Sequence, residues 1–505
     1  MCGLLYARNV PKVTAKIFTR ALATMALRGP DQSNVVSPRP DEYMGHTRLE
    51  LIGGPGAAQP IASPCGRFYM IYNGELYNTA ELAAKYNIDR EEKSDTRVII
   101  NLFSRMGVSI FPEFVGMFAI LIVDHFTGDV YCARDRIGIK PLYYYEQDGK
   151  LVIASMTVAV RALVTTNVCE EGLAEWKDVR RQIPGSTFFK EIREYLPGRV
   201  YKNNRVVLSF DAIEGVTKRQ FRNEAILEII SSHLVRDEKY DYASFLSGGV
   251  DSSIITKLTK PAVAYTAGSN DVNEFKQVEE FAEKENQNVV YVNVNDECFK
   301  TSSRELLGFS QEPSTLPNEI LIYEMCKSMP SHQKIIFSGE GADEFFFGYD
   351  RLVNFCMTNN SDKFLEQFLA RYRYRHTSEL NRFKDYLSDV KSDASSGDFI
   401  EDFLIKFHLS GLLKRADHAT MAASKECRVP FSDHRMLSFT YRVTPEKKLN
   451  EHTGKLQLRR VASSLGLSYL SSREKRPFSY QNQTESIEIH YEKFQTRQLE
   501  ALGWY

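Results

Sequence analysis

Residues 240–253, YDYASFLSGGVDSS, constrain the architecture more than any other stretch. An apolar strand ends in Ser247, Gly248 and Gly249, and helical patterning begins near Asp251. The apolar runs AVAYTAG, VVYVNV and KIIFSGEG follow at intervals filled by helical segments. That alternation predicts a parallel sheet covered by helices on both faces. Backbone N–H groups at a strand-to-helix turn, reinforced by the helix dipole, make an anion cradle. Ser247, Ser252 and Ser253 add hydroxyl donors, and glycine lets a phosphate approach the backbone. Asp251 supplies a carboxylate of the kind that holds magnesium beside phosphate oxygens. The G-K-[ST] ending of a Walker loop is missing.

A second strand end, IIFSGEGADEFFFGY, carries Ser338, Gly339, Glu340, Gly341, Asp343 and Glu344 within seven residues. Three carboxylates this close repel one another unless a cation, a metal or a proton is shared among them. Ligands of parallel sheets lie at the carboxyl ends of the strands, so both loops are expected to face one crevice.

The N-terminal part has a different texture. Up to about residue 160, short β-rich runs such as GLLYAR, FYMIYNGELY and FAILIVD recur between turn signals, with helical patterning in AKIFTRALATMALRG and DTRVIINLFSRMG. Stacked antiparallel sheets with helices are predicted. The turn-rich pieces between about 184 and 220 mark a domain junction, and the polar SDVKSDASSGD reads as a loop in the helical C-terminal part. A chain of 505 residues is long enough for two or three domains.

Cys2 directly follows the initiator methionine. Aminopeptidase removal of Met1 would expose a residue carrying both a thiol and an α-amine whose reference pKa is about 7.7. Around it the sequence offers the parts that amide hydrolysis requires. Arg48 supplies a bidentate fork for a substrate carboxylate, and Glu75 and Asp95 supply negative charge for an ammonium. The Asn73 side chain and the Gly74 backbone N–H are oxyanion donors.

Composition excludes several classes. Lys plus Arg (64) nearly cancels Asp plus Glu (65), so no global field attracts nucleic acid or an anionic membrane. The eight cysteines form no C-x-x-C pair, and no apolar run approaches the ~20 residues that span a bilayer. A cytoplasmic location, small-molecule partners and a possible homodimer are the expectations.

SGG-x-DS resembles the pyrophosphate loop of ATP pyrophosphatases. Cys2, RGPD, RLELI, AQP, YNGELYN, SDTR, FVGMFA, RDRIGIKPLYY, FLSGGVDSS, SGEGADE and RVPFSD together resemble the glutamine-hydrolysing asparagine synthetases, in that family's order. The resemblance implies an α+β N-terminal-nucleophile sandwich (1–190), a junction (191–220) and an α/β ATP-pyrophosphatase domain with a helical C-terminal part (221–505). It implies that Cys2 attacks glutamine held by Arg48, Leu51, Ile52, Asn73, Gly74, Glu75 and Asp95. Ammonia then travels through an internal tunnel to an acyl adenylate of a carboxylate, with aspartate the expected acceptor. The cofactors are ATP and Mg2+. By the same resemblance Leu246, Ala267, Ser338 and Gly339 contact adenosine, residues 247–253 hold pyrophosphate, Asp251 and Asp343 hold metal, and Glu340 and Lys475 act in catalysis.

Three places depart from the family pattern. Phe347 stands where a glycine is usual, Met156 ends ASM where ASE is usual, and SQEPSTLPNEI differs from the T-x-R-A-S pattern of typical aspartate users. A non-aspartate acceptor, a β-lactam-synthetase-like ring closure and a catalytically idle homologue are the alternatives; the intact Cys2, Arg48, Asn73 and Asp95 set argues against ring closure.

Overall fold

The computed structural model describes residues 2–51, 54–89, 94–234, 241–269, 272–359, 361–392, 394–450, 453–470, 473 and 487–504. The chain forms two compact units. The first contains Met1–Cys169, Pro184–Glu214 and Met421–Ser424; the second contains Glu170–Ile183, Gly215–Thr420 and Lys425–Tyr505.

In the first unit, β1 (Cys2–Arg8), β2 (Gln32–Val36) and β3 (Glu42–Arg48) belong to one sheet, flanked by helix α1 (Ala15–Ala23). Strands β4 (Ile61–Ala62), β5 (Phe68–Leu76), β6 (Gly116–Asp124) and β7 (Val130–Arg134) belong to a second, flanked by α2 (Asp95–Met106). The chain then returns to the first sheet with β8 (Tyr143–Gln147), β9 (Lys150–Ala154) and β10 (Ile192–Glu194), and to the second with β11 (Arg199–Lys202) and β12 (Arg205–Ser209). The strand orders are β10-β8-β9-β1-β3-β2 and β12-β11-β7-β6-β5-β4.

The sheets face each other through Leu4, Tyr6 and Met44 on one side and Ile71, Ala119 and Leu121 on the other. Apolar residues spaced three and four apart on α2, among them Val98, Leu102 and Phe103, cover the outer face of the second sheet. Ser94 caps that helix by accepting from the Arg97 N–H at 3.4 Å. Both faces of the central strands are therefore covered, which is why β1 reads as an apolar run rather than an alternation.

In the second unit, helix α3 (Glu170–Val179) precedes a five-stranded sheet. Its strands are β13 (Tyr242–Phe245), β14 (Val263–Gly268), β15 (Val289–Asn293), β16 (Ile335–Phe337) and β17 (Glu426–Arg428), with α4 (Val250–Thr259) after β13 and α5 (Ala342–Phe346) after β16. The order is β15-β14-β13-β16-β17 and every pair is parallel. Helices α6 (Leu456–Ser464) and α7 (Ile487–Leu502) follow. A separate, largely aromatic core fills the helical part, with Phe364, Phe368, Phe399, Phe403 and Phe407 in contact.

The chain passes between the units more than once rather than at a single junction. Residues 170–183, expected within the first domain, pack with the second unit, and 191–214, expected as junction, supply three strands to the first. Hydrogen bonds explain the former: Trp176 Nε1 donates to the Ser314 carbonyl at 3.1 Å, and Arg382 forks onto Glu175 with two 2.8 Å bonds. The polar stretch 388–398 is only a short break between helices Asn381–Lys391 and Ser396–Phe403, because Ser395 caps the second by accepting from the Asp398 N–H at 3.0 Å.

Trp176 is almost fully buried. Trp176→Ala is expected to destabilise the second unit by about 3–5 kcal/mol. Hydrogen exchange should show protection lost in β13 to β17 and retained in β1 to β9.

Candidate active sites

The first site lies where the two sheets of the first unit touch. Cys2 opens β1 opposite Arg48 of β3, and its backbone N–H donates to Asn73 Oδ1 on β5 at 2.9 Å. Asn73 is fully buried, and its Nδ2 has no hydrogen-bond partner among the described residues. A buried amide donor left without an acceptor costs stability, so its retention fits a task outside the fold.

Neighbouring residues hold this corner. Arg28 Nε donates to the Cys2 carbonyl at 3.1 Å, Thr47 Oγ1 accepts from the Gly3 N–H at 3.1 Å, and Ser155 Oγ accepts from the Leu4 N–H at 3.1 Å. On β5, Gln59 accepts from the Tyr72 N–H at 2.6 Å and donates to the Tyr72 carbonyl at 3.2 Å, fixing the backbone beside Asn73. The AQP and RGPD motifs thus brace the corner.

Gly74 pairs with Phe118 of β6, and Glu75 beyond it is buried. Asp95 opens α2 and accepts from Tyr72 Oη at 2.9 Å and the Leu76 N–H at 3.3 Å. Burial pushes its carboxyl above the usual range, against the opposing pull of those hydrogen bonds. Arg48 Nη2 donates to the Gly54 carbonyl at 2.8 Å, and Leu51 is buried; Ile52 lies outside the described residues. Met156, one of the departures, is buried at the start of a short helix.

The second site is a cavity of about 790 Å³ at the carboxyl ends of β13, β14 and β16. Leu246, Ser247, Gly248, Gly249, Asp251, Ser252, Ala267, Ser338, Gly339, Glu340 and Asp343 all line it. Ser253, on α4, is fully buried; its Oγ has no hydrogen-bond partner among the described residues. The Ser247–Gly249 turn is closed by Ser252 Oγ, which accepts from the Ser247 N–H at 3.1 Å. A Cβ on Gly339 would sit only 3.1 Å from the Asp251 Cβ, so the two strand-end loops meet as expected.

Each carboxylate of SGEGADE has its own partner. Arg415 pairs with Glu340 and also donates to Asn318 Oδ1 at 3.1 Å. Tyr349 Oη donates to Glu344 at 2.6 Å. Lys455 pairs with Asp251 and, at 2.7 Å, with Asp343. Burial favours the neutral amine, but the two carboxylates outweigh it and hold Lys455 charged, its pKa above the ordinary value. A Cβ on Gly348 would fall 1.7 Å from Asp343 Oδ1 and 2.3 Å from Lys455 Cε, so only glycine leaves room for this pair. Phe347 beside it has φ +59° and inserts into the aromatic core, which accounts for a bulky residue in a loop expected to be small.

Among the described residues no three His, Cys, Asp or Glu side chains gather to hold a metal ion. Asp251 and Asp343 are hard oxygen donors that suit magnesium only when phosphate oxygens and water complete the set. Lys475 lies outside the described residues. Lys455 and Arg415 were not singled out from the sequence. The TGKLQLRR context of Lys455 looks like a charged helix start, and only the fold brings it to Asp251, 204 residues away in the chain.

Residues 1–211 match the family described as glutamine amidotransferase domain, and residues 223–502 match the family described as asparagine synthase. "Asparagine synthetase [glutamine-hydrolyzing] 3" of Bacillus subtilis is 24% identical over 91% of this chain and 83% of its own length. "Asparagine synthetase [glutamine-hydrolyzing] 2" of the same organism is 26% identical over 95% of this chain and 72% of its own length. Among solved structures, the glutamine phosphoribosylpyrophosphate amidotransferase from B. subtilis complexed with ADP and GMP is a distant likeness: 14% identity, 57% of this chain, 65% of that one and a TM-score of 0.32. Among the described residues no helix is long and apolar enough to cross a membrane.

Two tests follow from this geometry. His46, buried beneath the first site, donates from Nε2 to the Tyr72 carbonyl at 3.0 Å, and burial lowers its pKa from 6.5 to about 3. The folded state therefore binds fewer protons than the unfolded chain between these values. The stability His46 contributes is complete above pH 6.5 and falls as pH drops toward 3, by up to about 1.4 kcal/mol per pH unit. His46→Gln keeps the N–H donor, and urea midpoints between pH 7 and 4 should fall less steeply for it. Lys455→Met leaves two carboxylates facing each other and should cost about 3–5 kcal/mol. Adding Asp251→Asn should recover part of that loss in a double-mutant cycle.

Proposed function

The chain belongs to the asparagine synthase family, and on that premise we propose that it is a glutamine- and ATP-dependent ligase that converts aspartate to its side-chain amide. The observation that carries the reading is the hydrogen bond from the Cys2 N–H to Asn73 Oδ1, on a side chain whose Nδ2 is buried with no hydrogen-bond partner among the described residues. Once Met1 is removed, the Cys2 nitrogen becomes an α-amine held by Asn73 Oδ1, close enough to relay the thiol proton to the leaving ammonia. The thiolate attacks the glutamine side-chain carbonyl, ammonia departs, and water hydrolyses the resulting thioester to glutamate. Asn73 Nδ2 takes the developing oxyanion; Arg48 receives the substrate carboxylate, and Glu75 and Asp95 its ammonium.

In the second unit the Ser247–Ser253 turn receives the β- and γ-phosphates, while Leu246, Ala267, Ser338 and Gly339 border the nucleoside. A carboxylate oxygen of aspartate attacks the α-phosphorus and pyrophosphate leaves; ammonia then attacks the acyl carbon and AMP leaves. Glu340, already paired with Arg415, accepts a proton from the attacking nitrogen. Asp251 and Asp343 would hold magnesium, which neutralises phosphate charge when bound. Lys455 then turns toward the phosphates in place of those carboxylates.

Cys2→Ala is expected to abolish glutamine-dependent amide formation while preserving it with ammonium chloride; loss of both would contradict separable sites. Asn73→Ala should slow glutamine hydrolysis by about 10²–10³-fold. Intact mass of the purified protein should lack methionine at the start. Aspartate should stimulate AMP release from ATP, and failure to do so would discard aspartate as acceptor.

A further inference from the structure

One end of the large cavity is built by residues that the scheme above leaves without a task. Arg180 follows α3 with φ +72°, a left-handed conformation in which glycine or asparagine usually closes a helix. An arginine held there needs support from its surroundings. Its guanidinium carbon lies 3.4 Å from the ring centroid of Tyr374 and 5.8 Å from that of Tyr372. Stacking of this kind fixes a planar cation while leaving its N–H edge available.

The cavity's other charges do not use that edge. Arg415 meets Glu340, Lys455 meets Asp251 and Asp343, and Arg473 meets Glu280. Arg180 lines the same cavity, and among the described residues no carboxylate lies within ion-pair distance of it. Beside it Tyr491, from α7, is buried, and its hydroxyl interacts with the Arg180 guanidinium. The segment 310–320, which brings Leu316, Pro317 and Asn318 to the cavity, contains no cation of its own.

We propose that Arg180, stacked on Tyr374 and joined by the Tyr491 hydroxyl, grips the carboxylate of the acceptor that is not activated. The second unit thereby selects acceptors with two carboxylates over monocarboxylates. The inference rests on the amide-forming reading above and deepens it. Arg180 makes and breaks no bond; it orients the acceptor so that its other carboxylate meets the α-phosphorus near Glu340. A guanidinium binds a carboxylate through two parallel hydrogen bonds, and an acceptor lacking that group leaves the half-buried cation without them.

The test uses the full chain with ATP, magnesium and saturating ammonium chloride, and follows pyrophosphate release with aspartate, succinate, β-alanine and propionate. The wild type should use the dicarboxylates and discriminate against the monocarboxylates. Arg180→Met should raise the KM for the dicarboxylate about 10- to 100-fold, narrow its preference over the monocarboxylate, and leave glutamine hydrolysis and the KM for ATP unchanged. Arg180→Lys should recover part of the loss. Tyr491→Phe, which removes only an oxygen, should raise the same KM a few-fold, and it keeps the proposal testable if Arg180→Met fails to fold.

An active wild type that prefers monocarboxylates, or variants that leave the acceptor KM unchanged, would overturn the role of Arg180 alone. A rise in the KM for ATP equal to that for the acceptor would reassign Arg180 to the nucleotide and likewise overturn it. A wild type whose pyrophosphate release answers to no carboxylate would overturn the amide-forming reading, and this inference with it.

Discussion

Carboxylates gathered at the carboxyl ends of parallel strands repel one another, and the second unit depends on cations from distant parts of the chain to hold them there. Glu340 and Asp343 stand within six residues of the end of β16, and Asp251 follows β13 closely. Arg415 and Lys455 reach them from helical segments far downstream. Removing either cation would leave partly buried negative charge uncompensated, at a cost that grows as the surroundings become less polar. The same arrangement suits a polyanionic ligand. A cation that already faces carboxylates can exchange them for the oxygens of such a ligand, so little charge would need to be moved into the site.

The first unit holds the corner around Cys2 in a different way. Its corner is assembled from backbone groups. Cys2, Gly3 and Leu4 each donate an N–H to a side chain from another segment, and Gln59 grips both polar groups of Tyr72. His46, kept neutral by burial, ties β3 to β5 through the Tyr72 carbonyl. Such a corner is rigid because each bond joins residues far apart in sequence, and their geometry cannot relax separately. A strand terminus, ordinarily prone to fraying, is held in place by these bonds.

Much of this was readable from residues alone wherever a local pattern carried the information. The parallel sheet followed from apolar runs interrupted by helical spacing, and the facing sheets from short strands between turns. The meeting of SGGVDSS with SGEGADE followed from the rule that ligands sit at strand ends, and Gly339 against Asp251 bears it out. What could not be read depends on tertiary approach. Lys455 and Arg415 look like ordinary helical charges, and Arg180 looks like one of two consecutive solvated arginines, until the fold stacks it on Tyr374. The allegiance of residues 170–183 to the second unit was not legible for a related reason. The segment holding Trp176 has no turn signal that separates it from the strands before it, and its allegiance is decided by one indole hydrogen bond and one bidentate ion pair formed with residues far ahead.

That allegiance has a practical corollary. The polypeptide passes from one unit to the other five times, at 169/170, 183/184, 214/215, 420/421 and 424/425. Neither unit therefore corresponds to an uninterrupted piece of the gene. A fragment truncated after residue 169 forfeits Ile192–Glu194, Arg199–Lys202 and Arg205–Ser209 from its own sheets, and one begun at residue 215 forfeits the helix that ends beside Arg180. A cut at any single position therefore leaves at least one unit without part of its own core.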